Sequence, residues 1–182
     1  MSSFRQKQAA VAAWIFLGLA VTIGGFLLPF VWSDFSQAPS DPLKRIVLWL
    51  AGDLFLVLFL LFAIARLARH RFFSVEDIDA GGEGTLRAMA LQAQLQNTLE
   101  QVVLAIVAHG AWMLLAPAAF GMLALLFAGY FCVGRVLFFV SYGRGAPGRA
   151  LGFALTFYPS VGMILGALPW AAERLASLAF PG

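Results

Sequence analysis

Five apolar stretches, each long enough to cross a bilayer, decide what this chain can fold into. Residues 9–32 and 150–172 carry no charge, while 46–65, 88–115 and 118–140 carry one each, at Asp53, Glu100 and Arg135. About 20 apolar residues span the hydrocarbon core as a helix. With 62% hydrophobic and 12% charged residues in 182, the chain has far more apolar surface than a soluble domain could hide. Backbone amides facing lipid must be satisfied within the segment or in a closed barrel. The alternation of barrel strands is absent. The expected fold is therefore all-α, an integral membrane helical bundle of five spans.

The basic residues set the expected orientation. Arg5, Lys7, Arg66, Arg69, Arg71, Arg87, Arg135, Arg144 and Arg149 fall at or near one side, and Lys44, Arg45 and Arg174 on the other. This bias puts the N-terminus and the 66–87 and 141–149 loops in the cytoplasm, and the 33–45 loop and C-terminus outside. The net charge of +3 thus marks topology and gives no ground for a nucleic-acid partner. Trp32, Trp49, Trp112 and Trp170 sit where outer interfacial anchors belong. The first span has a basic start, and Ser36-Gln37-Ala38 loosely resembles a cleavage site. Its 24-residue apolar run exceeds the roughly 7–15 of a signal peptide, so it reads as a retained anchor. The 66–87 loop runs from basic (Arg66, Arg69, His70, Arg71) to acidic (Glu76, Asp77, Asp79, Glu83) around Gly81-Gly82, and reads as a solvated connector. A tight turn at Pro117 makes the third and fourth spans an antiparallel hairpin.

Ionisable groups inside a membrane are costly, and each is a candidate functional residue. Gln94, Asn97, Glu100 and Gln101 fall on one stripe of the third span. Arg135 is the expected partner of Glu100, since a bidentate pair is cheaper in lipid than either charge alone. The plainer alternative is a buried ion pair that fixes packing. Arg66, Arg87, Arg144 and Arg149 are expected to form a ring with Tyr142 at the cytoplasmic mouth, suited to an anion; flanking charges are the alternative. Asp53 has no evident basic partner, and His109 reads as interfacial. Cys132 reads as a small buried hydrophobe. Two histidines and one cysteine give no metal-ligand spacing, and no phosphate-binding glycine loop or hydrolase motif is present.

Three blocks together resemble the MAPEG family, membrane-associated proteins in eicosanoid and glutathione metabolism. They are Arg66 with Ser74-Val75-Glu76-Asp77; Leu95-Gln96-Asn97-Thr98-Leu99-Glu100; and Gly134-Arg135 through Ser141-Tyr142 followed by Pro147-Gly148-Arg149. The Arg-x6-Tyr-x6-Arg spacing is similar to that of the leukotriene C4 synthase and microsomal prostaglandin E synthase branch. The resemblance implies two parts: residues 1–42 as an extra transmembrane anchor with its outer loop, and 43–182 as a four-helix membrane domain. It implies a homotrimer with glutathione between subunits near the cytoplasmic side, and a lipophilic substrate. Carried over by position, Arg66, Asn97, Glu100 and Tyr142 bind glutathione, Arg135 supports Glu100, and Arg149 stabilises the thiolate. Ala93 and Gln96 stand near where glutathione-using members carry arginine, and Gln101 and Phe138 where they carry tyrosine. The implied activity is a glutathione-dependent transferase or peroxidase. The alternatives are a non-enzymatic member with an eroded site and a small transporter subunit; the lack of broken helices or a repeated half argues against transport.

Overall fold

A computed structural model describes residues 2–32, 34, 37–79 and 84–179. Ser36, Gly81, Gly82 and Glu83 lie outside the described residues. The elements are α1 (Ser2–Val31), α2 (Pro42–Phe72), α3 (Leu86–Leu115), a single helical turn at Ala118–Gly121, α4 (Leu123–Ser141), a 3-10 turn (Tyr142–Arg144) and α5 (Gly145–Ala179), with no strand among the described residues. Ser3–Val31, Pro42–Phe72, Leu86–Leu115 and Ala118–Ala179 are long and apolar enough to cross a membrane. The last of these, at 62 residues, doubles back at the 3-10 turn and holds both α4 and α5.

Local chemistry sets the helix ends. Asp41 caps α2, accepting from the Leu43 amide at 2.9 Å, with Pro42 in the first turn. Thr85 caps α3, accepting from the Ala88 amide at 3.2 Å. Arg69, His70 and Arg71 occupy the last turn of α2, where a cation opposes the carbonyl dipole. Arg45 does more than flank its helix. Its Nη1 donates to the carbonyls of Met113 at 3.2 Å and Ala116 at 3.1 Å, and its Nε to Pro39 at 2.6 Å, so it closes the orphaned C-terminus of α3.

Helices α2, α3, α4 and α5 enclose the core, and α1 packs along α5 and more lightly on α4. Buried Trp112, Met113, Leu123, Phe127 and Met163 fill one half, and Leu56, Val102, Ala105 and Phe131 the other. The outer faces expose Phe16, Leu54, Phe55, Leu58, Val103, Val107 and Leu165. Such surface is stable only against acyl chains, so the protein is an integral membrane protein. The first helix is more than a tether. A Cβ on Gly18 would come within 2.4 Å of Ala154 Cβ, and one on Gly25 within 2.7 Å of the Phe127 ring, so small residues bring α1 into close contact with the bundle.

The tryptophan reading needs correction. Trp112 is buried, its indole donating to the Phe120 carbonyl at 2.9 Å, with the Trp170 ring 5.0 Å away. It is a core residue, because the turn after α3 folds back over it.

Candidate functional site

The site is built where α4 and α5 cross. A Cβ on Gly134 would lie 2.8 Å from the Gly152 carbonyl oxygen, and one on Gly152 2.5 Å from the Phe138 nitrogen, so only glycines permit this backbone contact. The crossing sets Arg135 beside Thr156. Arg135 has no solvent exposure; it donates Nη2 to Thr156 Oγ1 at 2.7 Å and Nη1 to Asn97 Oδ1 at 3.0 Å. Its guanidinium carbon lies 4.5 Å from the Phe138 ring centre and 5.5 Å from that of Phe131. Its Nε has no hydrogen-bond partner.

Past Ser141 the chain makes the 3-10 turn and reverses at Gly145, whose φ of 76° favours glycine. This reversal brings Arg149, in the first turns of α5, over the Tyr142 ring at 4.9 Å. Asn97, Tyr142 and Arg149 line one cavity of about 370 Å3. The rest of its wall is apolar: Ala93, Phe138 and Phe153, with Val11 and Ile15 from α1. Among the described residues no carboxylate pairs with Arg149. A free cation, a phenol and an amide beside an apolar wall can hold an anionic group whose neighbour is greasy.

Three of the six site residues read from sequence thus converge, and Arg135 joins them from behind through Asn97. Glu100 does not. It is exposed, accepts from Gln96 Nε2 at 2.9 Å, and does not meet Arg135. The cause is helical phase. Gln94 and Gln101, seven residues apart, are both buried, whereas the three-residue step from Asn97 turns Glu100 outward. The stripe is therefore a fan, and Arg135 takes its partners from an amide and a hydroxyl.

The arginine ring also divides. Arg66 donates to Gln94 Oε1 at 2.9 Å and lies over the Phe62 and Phe139 rings at 5.5 and 5.8 Å. With Arg87 it lines a second cavity of about 550 Å3 at the α2–α3 end. Arg144 is exposed and lines neither cavity.

Two polar clusters escape sequence reading. Asp53 and His109 are both buried, joined at 2.6 Å through Nδ1, and Trp49 Nε1 donates to the same carboxylate at 2.7 Å. Asp53 has a partner after all, and His109 is a core residue. Asp77 is buried in the α2–α3 loop: it accepts from the Thr85 amide and hydroxyl at 2.8 Å each and from the Ser74 hydroxyl at 2.9 Å, and meets His70 Nε2 at 2.9 Å. The Thr85 amide above all, then the Thr85 and Ser74 hydroxyls and His70, hold its carboxyl down to about 2 against the opposing effect of burial. That loop is a built turn. No group of three His, Cys, Asp or Glu side chains placed to hold a metal occurs among the described residues.

The sequence model of the MAPEG family matches residues 38–169, more than two thirds of the chain. The match covers α2, α3, α4 and most of α5, and leaves α1 outside. No curated protein and no solved structure matches the chain.

Proposed function

The chain belongs to the MAPEG family, and on that premise we propose that it is a glutathione-dependent transferase or peroxidase acting on a lipophilic substrate. The observation that carries this reading is the convergence of Asn97, Tyr142 and Arg149 on one cavity whose remaining wall is apolar. A thiol titrates near pH 8.5 and reacts as the thiolate. Arg149, with no competing carboxylate among the described residues, is the cation that holds a glutathione thiolate at neutral pH. The Tyr142 ring, 4.9 Å from the guanidinium carbon, holds that cation in place. Arg135 acts through Asn97, orienting its amide toward the cavity. The apolar acceptor comes from the bilayer and lies along Phe138 and Phe153. On this reading a homotrimer completes the site: Arg66 and Glu100, which lie apart from the cavity within one chain, meet glutathione across subunit contacts.

One observation favours a second reading. Ala93 forms part of the cavity wall, near where glutathione-using relatives carry arginine, and Asn97 is already held by Arg135. A MAPEG-fold protein whose site has lost glutathione and serves packing or another ligand fits these two facts. Thermal unfolding of the purified protein with and without millimolar glutathione separates the two. Ligand at about 100 times its dissociation constant adds about 2.7 kcal/mol. The enzymatic reading expects that rise, together with thiolate absorbance lost in Arg149→Ala and kept in Arg144→Ala. The absence of any rise selects the eroded site.

A further inference from the structure

The second cavity has a composition and a depth that the glutathione reading leaves unexplained. Arg66, Arg69 and Arg87 line it with His70 and Ser74, and Phe73 and Leu91 supply its apolar wall. Among the described residues no acidic side chain lines it. The nearest buried carboxylate, Asp77, is taken up by Thr85, Ser74 and His70. Arg66 spends one nitrogen on Gln94. Among the described residues, the guanidinium groups of Arg69 and Arg87 have no hydrogen-bond or ion-pair partner. Three arginines thus line one cleft of about 550 Å3, and Arg69 and Arg87 are exposed at its mouth, free to take an anion.

Depth identifies the anion. The apolar run of α2 over residues 46–65 is 20 residues long, which at 1.5 Å per residue uses the roughly 30 Å of hydrocarbon. Arg66, Arg69 and His70 follow at once, on the last turns of the helix, and Arg87 lies at the matching start of α3. The cavity thus stands in the headgroup layer. Phe73 in its wall is exposed, as are Phe72 and Leu86 beside it in sequence, an apolar rim that suits the membrane interface. Clustered guanidinium forks match the oxygens of a phosphate, and basic clefts between membrane helices at this depth take anionic lipid headgroups.

We propose that the cleft between the end of α2 and the start of α3 binds the phosphate of an anionic glycerophospholipid, held by Arg69 and Arg87. This site is independent of the cavity at Arg149 and stands whether or not glutathione binds there.

The test uses the delipidated full chain in detergent. Thermal unfolding is followed with phosphatidylglycerol, with phosphatidylcholine of the same acyl chains, and with millimolar inorganic phosphate. Phosphatidylglycerol raises the midpoint by on the order of 5 °C, phosphatidylcholine does not, and 0.5 M salt at about a 4 Å Debye length reduces the rise. The R69Q/R87Q variant loses the rise while keeping whatever response to glutathione the wild type shows. The R71Q/R144Q variant, which removes the same charge from the same end, keeps it. Equal response to both lipids, or a full response in R69Q/R87Q, overturns the proposal. An equal rise with inorganic phosphate alone also overturns it, by showing a soluble anion as the ligand. If R69Q/R87Q does not fold, phosphatidylglycerol retained through purification of the wild type from mixed-lipid detergent, compared with R71Q/R144Q, decides the matter by the lipid ratio in the pure protein: enrichment supports the site and bulk composition refutes it.

Discussion

Arg135 is a cation with no solvent exposure and no carboxylate beside it among the described residues. Its charge is spread over hydrogen bonds to Asn97 and Thr156 and over two aromatic faces. Such a group depends on each neutral partner more than a paired ion would, because losing one leaves desolvated charge. Thr156→Val keeps the volume and removes one acceptor. It should lower the unfolding free energy by about 1.5–3 kcal/mol, read as a fall in the thermal midpoint of the detergent-solubilised protein. Arg135→Met should largely suppress that effect in the double variant, since a methionine asks nothing of residue 156. An additive double variant would show that Thr156 acts by packing alone. The sequence singles out Arg135 by its cost in lipid, and the structure places it fully buried where α4 crosses α5. Its partner was misread because a carboxylate was the obvious candidate, and the rotation between Asn97 and Glu100 is visible only once the helix phase is fixed by its neighbours. The Asp53–His109 contact has no local trace at all: the two are 56 residues apart, on helices whose register the sequence leaves open.

At the scale of elements, the spans were legible and their ends were not. Runs of apolar residues locate all five helices because lipid admits little else, but α2 continues to Phe72 and α5 begins at Gly145, since helices outlast the hydrocarbon and stop where capping residues stop them. The α2–α3 connection shows what charge composition alone misses. Its basic and then acidic charges read as solvated, yet Asp77 gathers the Thr85 cap, Ser74 and His70 into one knot. Because its carboxyl titrates at about 2 when folded, against an ordinary value of 3.8, the unfolded chain binds the proton more readily. The knot therefore stabilises fully above the ordinary value and fades as pH falls through about 2. The difference in thermal midpoint between wild type and Asp77→Asn should shrink steadily as pH falls from about 4 to 2. A difference unchanged down to pH 2 would show that the carboxylate form is not what orders the turn.

At the scale of the whole molecule, the exposed outer face of one chain is apolar almost everywhere except along α3. There Glu100 lies near the middle of a 30-residue helix, exposed, with Gln96 beside it. A carboxyl group at that depth costs roughly 2.5–3.5 kcal/mol against acyl chains even on insertion scales. Gln96 supplies one hydrogen bond and leaves the remaining oxygen capacity unmet. The face is stable if another copy of the chain covers it, which is the arrangement proposed above for a homotrimer. Glu100→Leu discriminates between a covered and an uncovered face without depending on folding, because leucine is the better residue for lipid in either case. If the face is a subunit contact, native mass measurement in lipid nanodiscs should find three times the 19.6 kDa chain mass for wild type and a folded monomer for the variant. If Glu100 faces lipid, the variant should unfold at higher temperature than wild type with no change of mass. A wild type that is monomeric at every lipid ratio removes the trimer, and with it any route by which Arg66 and Glu100 reach the cavity at Arg149.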